Sequence, residues 1–205
     1  MLESERQILA GKKEGDYLSI GISEGGVHYN MGRVYWRERV NALNMKLPDL
    51  YLAPEDIYDE ELMNKLERYN VTAFYILAPI EEYGFLSRFP AIRELNVGFG
   101  ENLKNLDFLK SLKECSMFFL ADAKLENIDI IVEKNISEPK FFSRLRNVIL
   151  YNCEIENLSA FEREGYDFGE FTIWSSKNDE SRWEVVKADK RRYYELRPLD
   201  EPKNP

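Results

Sequence analysis

One apolar spacing recurs along this chain, and it restricts the fold more than any other property. In the stretch LRNVILYNCEIENLSAF, apolar side chains fall at Leu145, Val148, Leu150, Cys153, Ile155, Leu158 and Phe161. The step of two from Val148 to Leu150 is strand spacing, because alternate side chains of a strand share a face. The steps of three from Ile155 to Phe161 suit a short helix or 3₁₀ segment. A unit that changes period so quickly cannot bury its own apolar edge, whereas stacked copies can.

The same frame appears upstream. CSMFFLADAKLENIDII places Cys115, Phe118, Leu120, Ala123, Leu125, Ile128 and Ile131 at matching positions without a gap. Weaker copies carry Leu47, Leu50 and Leu52, then Val71, Phe74 and Ile76, then Ile92, Leu95 and Val97, and lastly Phe168, Phe171 and Ile173. The copies begin at 47, 71, 92, 115, 145 and 168, so successive starts are 24, 21, 23, 30 and 23 residues apart.

This pattern resembles the leucine-rich repeat family, L-x-x-L-x-L-x-x-N/C-x-L, over residues 47–176. Only Cys153 stands at the usual Asn/Cys position; Ala123 and Gly100 occupy it in neighbouring copies. The resemblance implies an α/β fold, a short leucine-rich-repeat-like solenoid with a parallel sheet of about six strands. An ordinary α/β domain would also alternate parallel strands with crossovers. Copies held near one period favour the solenoid.

The two ends break the pattern. DYLSIGISEGGVHYNM reads as a β-hairpin, with Leu18, Ile20 and Ile22 paired through Gly25-Gly26 to a strand carrying Val27, Tyr29 and Met31. RWEVVKADKRRYYELRPL reads as a second hairpin. A repeat stack exposes its core at both ends, so atypical caps are expected there. The organisation read from the sequence is one domain over 1–205: an N-terminal β cap (1–46), the repeat region (47–176), and a C-terminal cap with a loose tail (177–205).

Charge narrows the partners. The chain holds 28 basic and 37 acidic residues, a net charge of −9. That balance argues against nucleic acid, which calls for a basic footprint, and against an anionic membrane surface. The N-terminus lacks the apolar stretch of a signal peptide, and no run reaches the ~18 apolar residues of a membrane helix. A cytoplasmic location is the expectation.

Chemistry finds few candidates. A Ser/His/Asp or Cys/His site would have to use His28, the single histidine, and nothing aims a nucleophile at it. Cys115 and Cys153 are too few for a disulfide scaffold or a clustered zinc site, and both occupy core positions of the repeat. GISEGG and GFGEN fit neither phosphate-binding motif and read as turns. Asp56, Asp59, Glu60 and Glu61 sit where a helix should begin, a position that favours acidic residues electrostatically. The expectation is a non-enzyme with no cofactor and no metal.

Binding offers more. Residues between the core positions of each strand must point to the other face of the sheet. That register places Tyr51, Tyr75, Asn96, Phe119, Ile149 and Thr172 in one row, with Leu77, Tyr151 and Trp174 to one side and Met117 to the other. Asp49, Glu94 and Glu170 flank the row with negative charge. An open aromatic face of this kind marks an interface, Tyr and Trp dominate binding hot spots, and the acids suit a basic partner. The expected function is a protein-binding module, with an inhibitor or immunity protein as its sharpest form; self-association into a homodimer through the same face is the alternative.

Overall fold

The computed structural model describes residues 9–24, 48–137, 145, 147–151, 153–157, 170–174, 183–188 and 193–198. Among these, seven strands form one sheet in the order β2-β1-β3-β4-β5-β7-β9. They are β1 (Tyr17–Ile22), β2 (Leu50–Leu52), β3 (Asn70–Ile76), β4 (Glu94–Val97), β5 (Met117–Ala121), β7 (Asn147–Tyr151) and β9 (Glu170–Trp174). Every neighbouring pair in this sheet is parallel. The chain is therefore an α/β protein.

The repeat frame sets the register. Phe74 pairs with Leu95, Leu95 with Phe118, Phe118 with Val148 and Val148 with Phe171. Two residues on, Ile76, Val97, Leu120, Leu150 and Ile173 align in the same way. The described members of both rows, from Phe74 and Ile76 to Val148 and Leu150, are at most 1% exposed. Burying one such side chain contributes roughly 1.5–3 kcal/mol before chain entropy is counted. The first core position of each copy is likewise buried at Val71, Ile92, Cys115 and Leu145.

The crossovers supply the other wall of this core. Between β2 and β3 the chain makes a 3₁₀ segment, η1 (Pro54–Tyr58), and a helix, α1 (Glu60–Leu66). Asp59 starts α1 by accepting a hydrogen bond from the Leu62 amide at 3.0 Å, with Glu60 and Glu61 in the first turn and Lys65 in the last. Helix α1 buries Leu62, Met63 and Leu66. Asp59, Glu60 and Glu61 thus begin a helix, as expected, while Asp56 lies in the preceding segment η1.

The next crossovers are shorter 3₁₀ segments, η2 (Gly84–Arg88) and η3 (Asp107–Ser111), which bury Leu86 and Leu109. Helix α2 (Asp129–Ser137) follows β5 and a further short strand, Lys124–Asn127. Rings link successive crossovers to the sheet: Tyr83 stacks on Phe108 at 5.4 Å, and Phe108 meets Phe118 edge-on at 6.2 Å. Arg88 ties η2 to α1, donating to Glu60 at 2.9 Å, to Asn64 at 2.6 Å and to Glu67.

The two copies that align without a gap also share a second, two-stranded parallel sheet, β6 (Lys124–Asn127) with β8 (Glu154–Asn157). At the turn between the two sheets, the Cys153 thiol donates to the Leu120 carbonyl at 3.6 Å. Gly100 fits there because a Cβ would stand 2.7 Å from the Ala121 carbonyl oxygen, the acceptor of its own amide at 2.9 Å. GFGEN is thus a turn packed against the next copy. Near the C-terminus, β10 (Trp183–Ala188) and β11 (Tyr193–Pro198) form the expected antiparallel hairpin.

The N-terminal hairpin is corrected. Strand β1 lies inside the sheet, with Ile20 paired to both Leu50 and Phe74, and Ile22 to both Leu52 and Ile76. Both its edges are filled by parallel neighbours, so no edge remains for a hairpin partner. Val27, Tyr29 and Met31 lie outside the described residues. The alternation of Leu18, Ile20 and Ile22 announces a strand but not its partners, since the same side chains suit either pairing.

Candidate binding face

The side of the sheet away from the crossovers is built from the residues between core positions. One row runs Tyr51, Gly21, Tyr75, Asn96, Phe119, Ile149, Thr172, one residue per strand in register. A parallel row begins Ala73, Glu94, Met117, Asn147 and ends at Glu170. The sequence-derived row is therefore real as a juxtaposition. Its members from Tyr75 to Thr172 are direct neighbours, and Gly21 separates Tyr51 from Tyr75.

The expectation that this face stands open to water is corrected at its centre. Tyr75 is 4%, Asn96 1% and Phe119 3% exposed. Ala73, Gly98 and Ala121 beside them are buried too. Two flat strand neighbours cannot hide a whole ring, so something packs over the middle of the face. Openness returns away from the centre: Tyr51, Leu77, Glu94, Met117, Asn147 and Ile149 are half-buried, and Asp49 is exposed. Tyr151, Trp174 and Glu170 hold strand positions in register, but their side chains lie outside what the structure describes.

The polar groups at the centre of the face meet at Glu94. Asn96 donates its side-chain amide to Glu94 Oε1 at 3.0 Å. The Tyr75 hydroxyl also bonds to the Glu94 side chain. Burial first, then Glu94 and more weakly Asp49, hold the Tyr75 phenol well above its ordinary range. Burial raises Tyr51 likewise. Half-buried Glu94 thus joins the buried Tyr75 and Asn96 in one polar cluster and is also a flanking charge.

Asp49 is engaged in the same double way. Its Oδ2 accepts from the Ser19 amide at 2.9 Å and from the Ser19 hydroxyl at 2.8 Å, while its own amide donates to the Ser19 carbonyl at 3.0 Å. Lys12 Nζ stands 3.9 Å from Oδ1. This clamp joins β1 to β2. Ser19 and Gly21 are the face residues that the repeat frame missed, because β1 precedes the first copy and carries no L-x-x-L-x-L spacing. The only signal for them was their alternation with Leu18, Ile20 and Ile22.

Other candidates resolve simply. Cys115 and Cys153 are buried thiols outside any disulfide, and burial pushes Cys115 up to about 12, against the lowering effect of Lys134. Lys134 itself is 6% exposed and donates to the Leu112 carbonyl at 2.6 Å. His28 lies outside the described residues. Between η3, β6 and α2 a cleft of about 400 Å³ is lined by both signs of charge, including Lys104, Asp107, Lys110, Glu126 and Glu133. Among the described residues no helix is long and apolar enough to cross a membrane.

Comparison with known proteins returned no matching family model, no matching curated protein and no matching solved structure.

Proposed function

We propose that this chain is a non-catalytic protein-binding module, a short solenoid of leucine-rich-repeat-like units that holds a basic partner against the sheet. One observation carries the reading: Glu94, Met117 and Asn147 are adjacent in register across β4, β5 and β7, with Ile149 one alternate position along, and all four remain half-exposed. Apolar side chains left in water beside a carboxylate offer a partner both contact area and charge selection. Tyr51 and Leu77 extend the same chemistry toward β2 and β3. The solenoid reading rests on the in-register repeat positions and on the sequential order β3-β4-β5-β7-β9. The acidic balance of the chain favours the inhibitor or immunity form of this role, a protein that occupies a basic surface on its target.

A charge-reversing surface variant tests it. Met117→Arg/Ile149→Arg places cations on half-exposed positions that have room for them. Immobilised wild type and variant are offered the same native lysate, after matching circular dichroism has shown that both fold. The reading expects at least a tenfold loss of the proteins that the wild type captures. A variant that keeps every one of them shows that binding, if any, uses another surface.

A further inference from the structure

The second sheet stops one copy short, and a cleft opens beside it. The copies that begin at 115 and 145 pair there through β6 and β8. The copy that begins at 92 has no strand at the matching place, residues 103–106. The cause is in the sequence. Leu120 to Leu125 and Leu150 to Ile155 are steps of five residues, whereas Val97 to Leu103 is a step of six. Strand groups alternate in direction, so one added residue puts those that follow out of phase with the neighbouring copy. The two copies still touch at the turn, where the Gly100 amide donates to the Ala121 carbonyl at 2.9 Å. Beyond that contact lies the cleft of about 400 Å³ between η3, β6 and α2.

One edge of β6 is turned to this cleft. The Glu154 amide donates to the Ala123 carbonyl at 2.9 Å, so Ala123 directs its main-chain groups toward β8. Successive residues of a strand direct theirs to opposite sides, so Leu125 and Asn127 also serve β8. Lys124 and Glu126 direct theirs the other way, toward the copy that begins at 92. Among the described residues the amide and carbonyl of Glu126 have no main-chain partner. An unpaired strand edge beside an open cleft is a template for an added strand.

Side chains on the cleft walls select the charge of what enters. Lys110 is taken by Asp107 at 2.6 Å. Lys104 and Glu126 are exposed and line the cleft, and among the described residues neither makes an ion pair or a side-chain hydrogen bond. Asn105 and Asn127 stand at equivalent positions, two residues after Leu103 and Leu125. Their Oδ1 atoms accept from the amides of Asp107 and Asp129 at 3.0 and 3.1 Å. Each carboxamide thus keeps its NH2 group to donate elsewhere. The cleft offers one cation and two neutral donors for a carboxylate, and one carboxylate for an amine.

We propose that this cleft binds a short zwitterionic peptide in extended form, added as a strand to the edge of β6. Its carboxylate is held by Lys104 and the NH2 groups of Asn105 and Asn127, its ammonium by Glu126, and its main chain by the amide and carbonyl of Glu126. The volume lies within the range of small-ligand sites, about 300–1,000 Å³, and three extended residues span about 10 Å. The charged groups stand in water, where each ion pair is worth little, so the affinity is in the low-millimolar range.

The cleft is remote from the sheet face, and the proposal stands whether or not that face binds a partner. Titration of the full-length, nitrogen-15-labelled protein with trialanine tests it. Saturable amide shifts are expected within 104–110 and 126–133. Trialanine blocked at both termini, and unblocked trialanine offered to the exposed-site variant Lys104→Glu, should each bind at least about fivefold more weakly. Hydrogen exchange reads the strand pairing directly: at a peptide concentration ten times Kd, the Glu126 amide should exchange about tenfold more slowly. No saturable shift up to about 50 mM, or shifts confined to other residues, would overturn the site. Equal binding of the blocked peptide would overturn the charge assignment, and unchanged exchange at Glu126 would overturn the added strand.

Discussion

The ring of Tyr51 rests on the backbone of Gly21. The two residues pair across β1 and β2, and a Cβ on Gly21 would stand 2.8 Å from Cδ1 of that ring and 2.9 Å from Cγ of Pro48. The absent side chain is what lets the short edge strand β2 carry an aromatic residue flat against its neighbour. Gly21→Ala is therefore expected to lower stability by about 1–2 kcal/mol through overpacking. Tyr51→Ala in the same chain should recover part of that loss, because the ring is the closer obstacle. Urea unfolding of the two single variants and the double variant checks this; additive effects would mean the ring and the glycine do not interact.

Leu150 tests the core register. It aligns with Leu120 and Ile173 on adjacent strands and is 0% exposed. Leu150→Asp should leave the chain largely unfolded at 25 °C, since an isolated carboxylate there has no partner and the loss exceeds about 4 kcal/mol. Far-ultraviolet circular dichroism and a thermal melt decide it, and a cooperative transition within a few degrees of wild type would contradict the alignment.

Asn96 tests the polar cluster. Its amide donates to Glu94 and it is 1% exposed. Asn96→Asp exchanges that donor for a second carboxylate, so the new acid titrates with its folded pKa raised above the unfolded value. The sign follows: stability is intact below the unfolded carboxylate pKa of about 4 and is lost as pH rises through the folded value. The variant should therefore lie well below wild type at pH 7, by about 2–3 kcal/mol, and approach it near pH 4. Melts across that range measure the gap, and a gap independent of pH would argue against a charged neighbour.

Alkaline pH should weaken the fold through groups kept neutral by burial. Cys115 is raised from 9.0 to about 12 and Tyr83 from 10.0 to about 12, each chiefly by desolvation. The unfolded chain releases these protons first, so stability is intact below pH 9 and falls as pH rises from 9 toward 12. Each group contributes a slope of about 1.4 kcal/mol per pH unit inside its own window. Cys115→Ala should flatten the first part of the decline, between pH 9 and 10, when unfolding is followed by denaturant titration at fixed pH.

Arg88 tests the seam between two crossovers. It joins η2 to α1 through Glu60, Glu67 and Asn64. A branched network on one guanidinium is worth more than a lone surface pair, and Arg88→Ala should cost about 1 kcal/mol. In urea unfolding at low salt and at 0.5 M salt, the share of that cost owed to the two carboxylates should fade and the share owed to the hydrogen bond to Asn64 should persist; a cost unchanged by salt would mean the ion pairs contribute nothing.

The strand register was legible in the sequence at Phe118, Leu120, Val148 and Leu150 because their spacing is local. A step of two within a parallel strand fixes which side chains share the core, and aligned copies then fix their neighbours. The helix start at Asp59 was legible for the same reason, since a cap acts within one turn. The face row was legible only as a list of neighbours. That Tyr75, Asn96 and Phe119 would be buried was not, because it depends on what crosses a surface and not on the strands that form it.

The sequence by itself determined which side chains of each repeat turn inward and the order in which most strands lie. Both follow from apolar periodicity, whose physical effect is confined to a few residues. Only the tertiary structure decided that β1 would slip between β2 and β3, setting Gly21 under Tyr51, and that the aromatic centre of the sheet would be hidden. Strand pairing is a competition between distant segments whose backbones offer identical hydrogen bonds. Leu18, Ile20 and Ile22 would satisfy a hairpin as well as a sheet interior, and only the complete core makes the second arrangement lower in free energy.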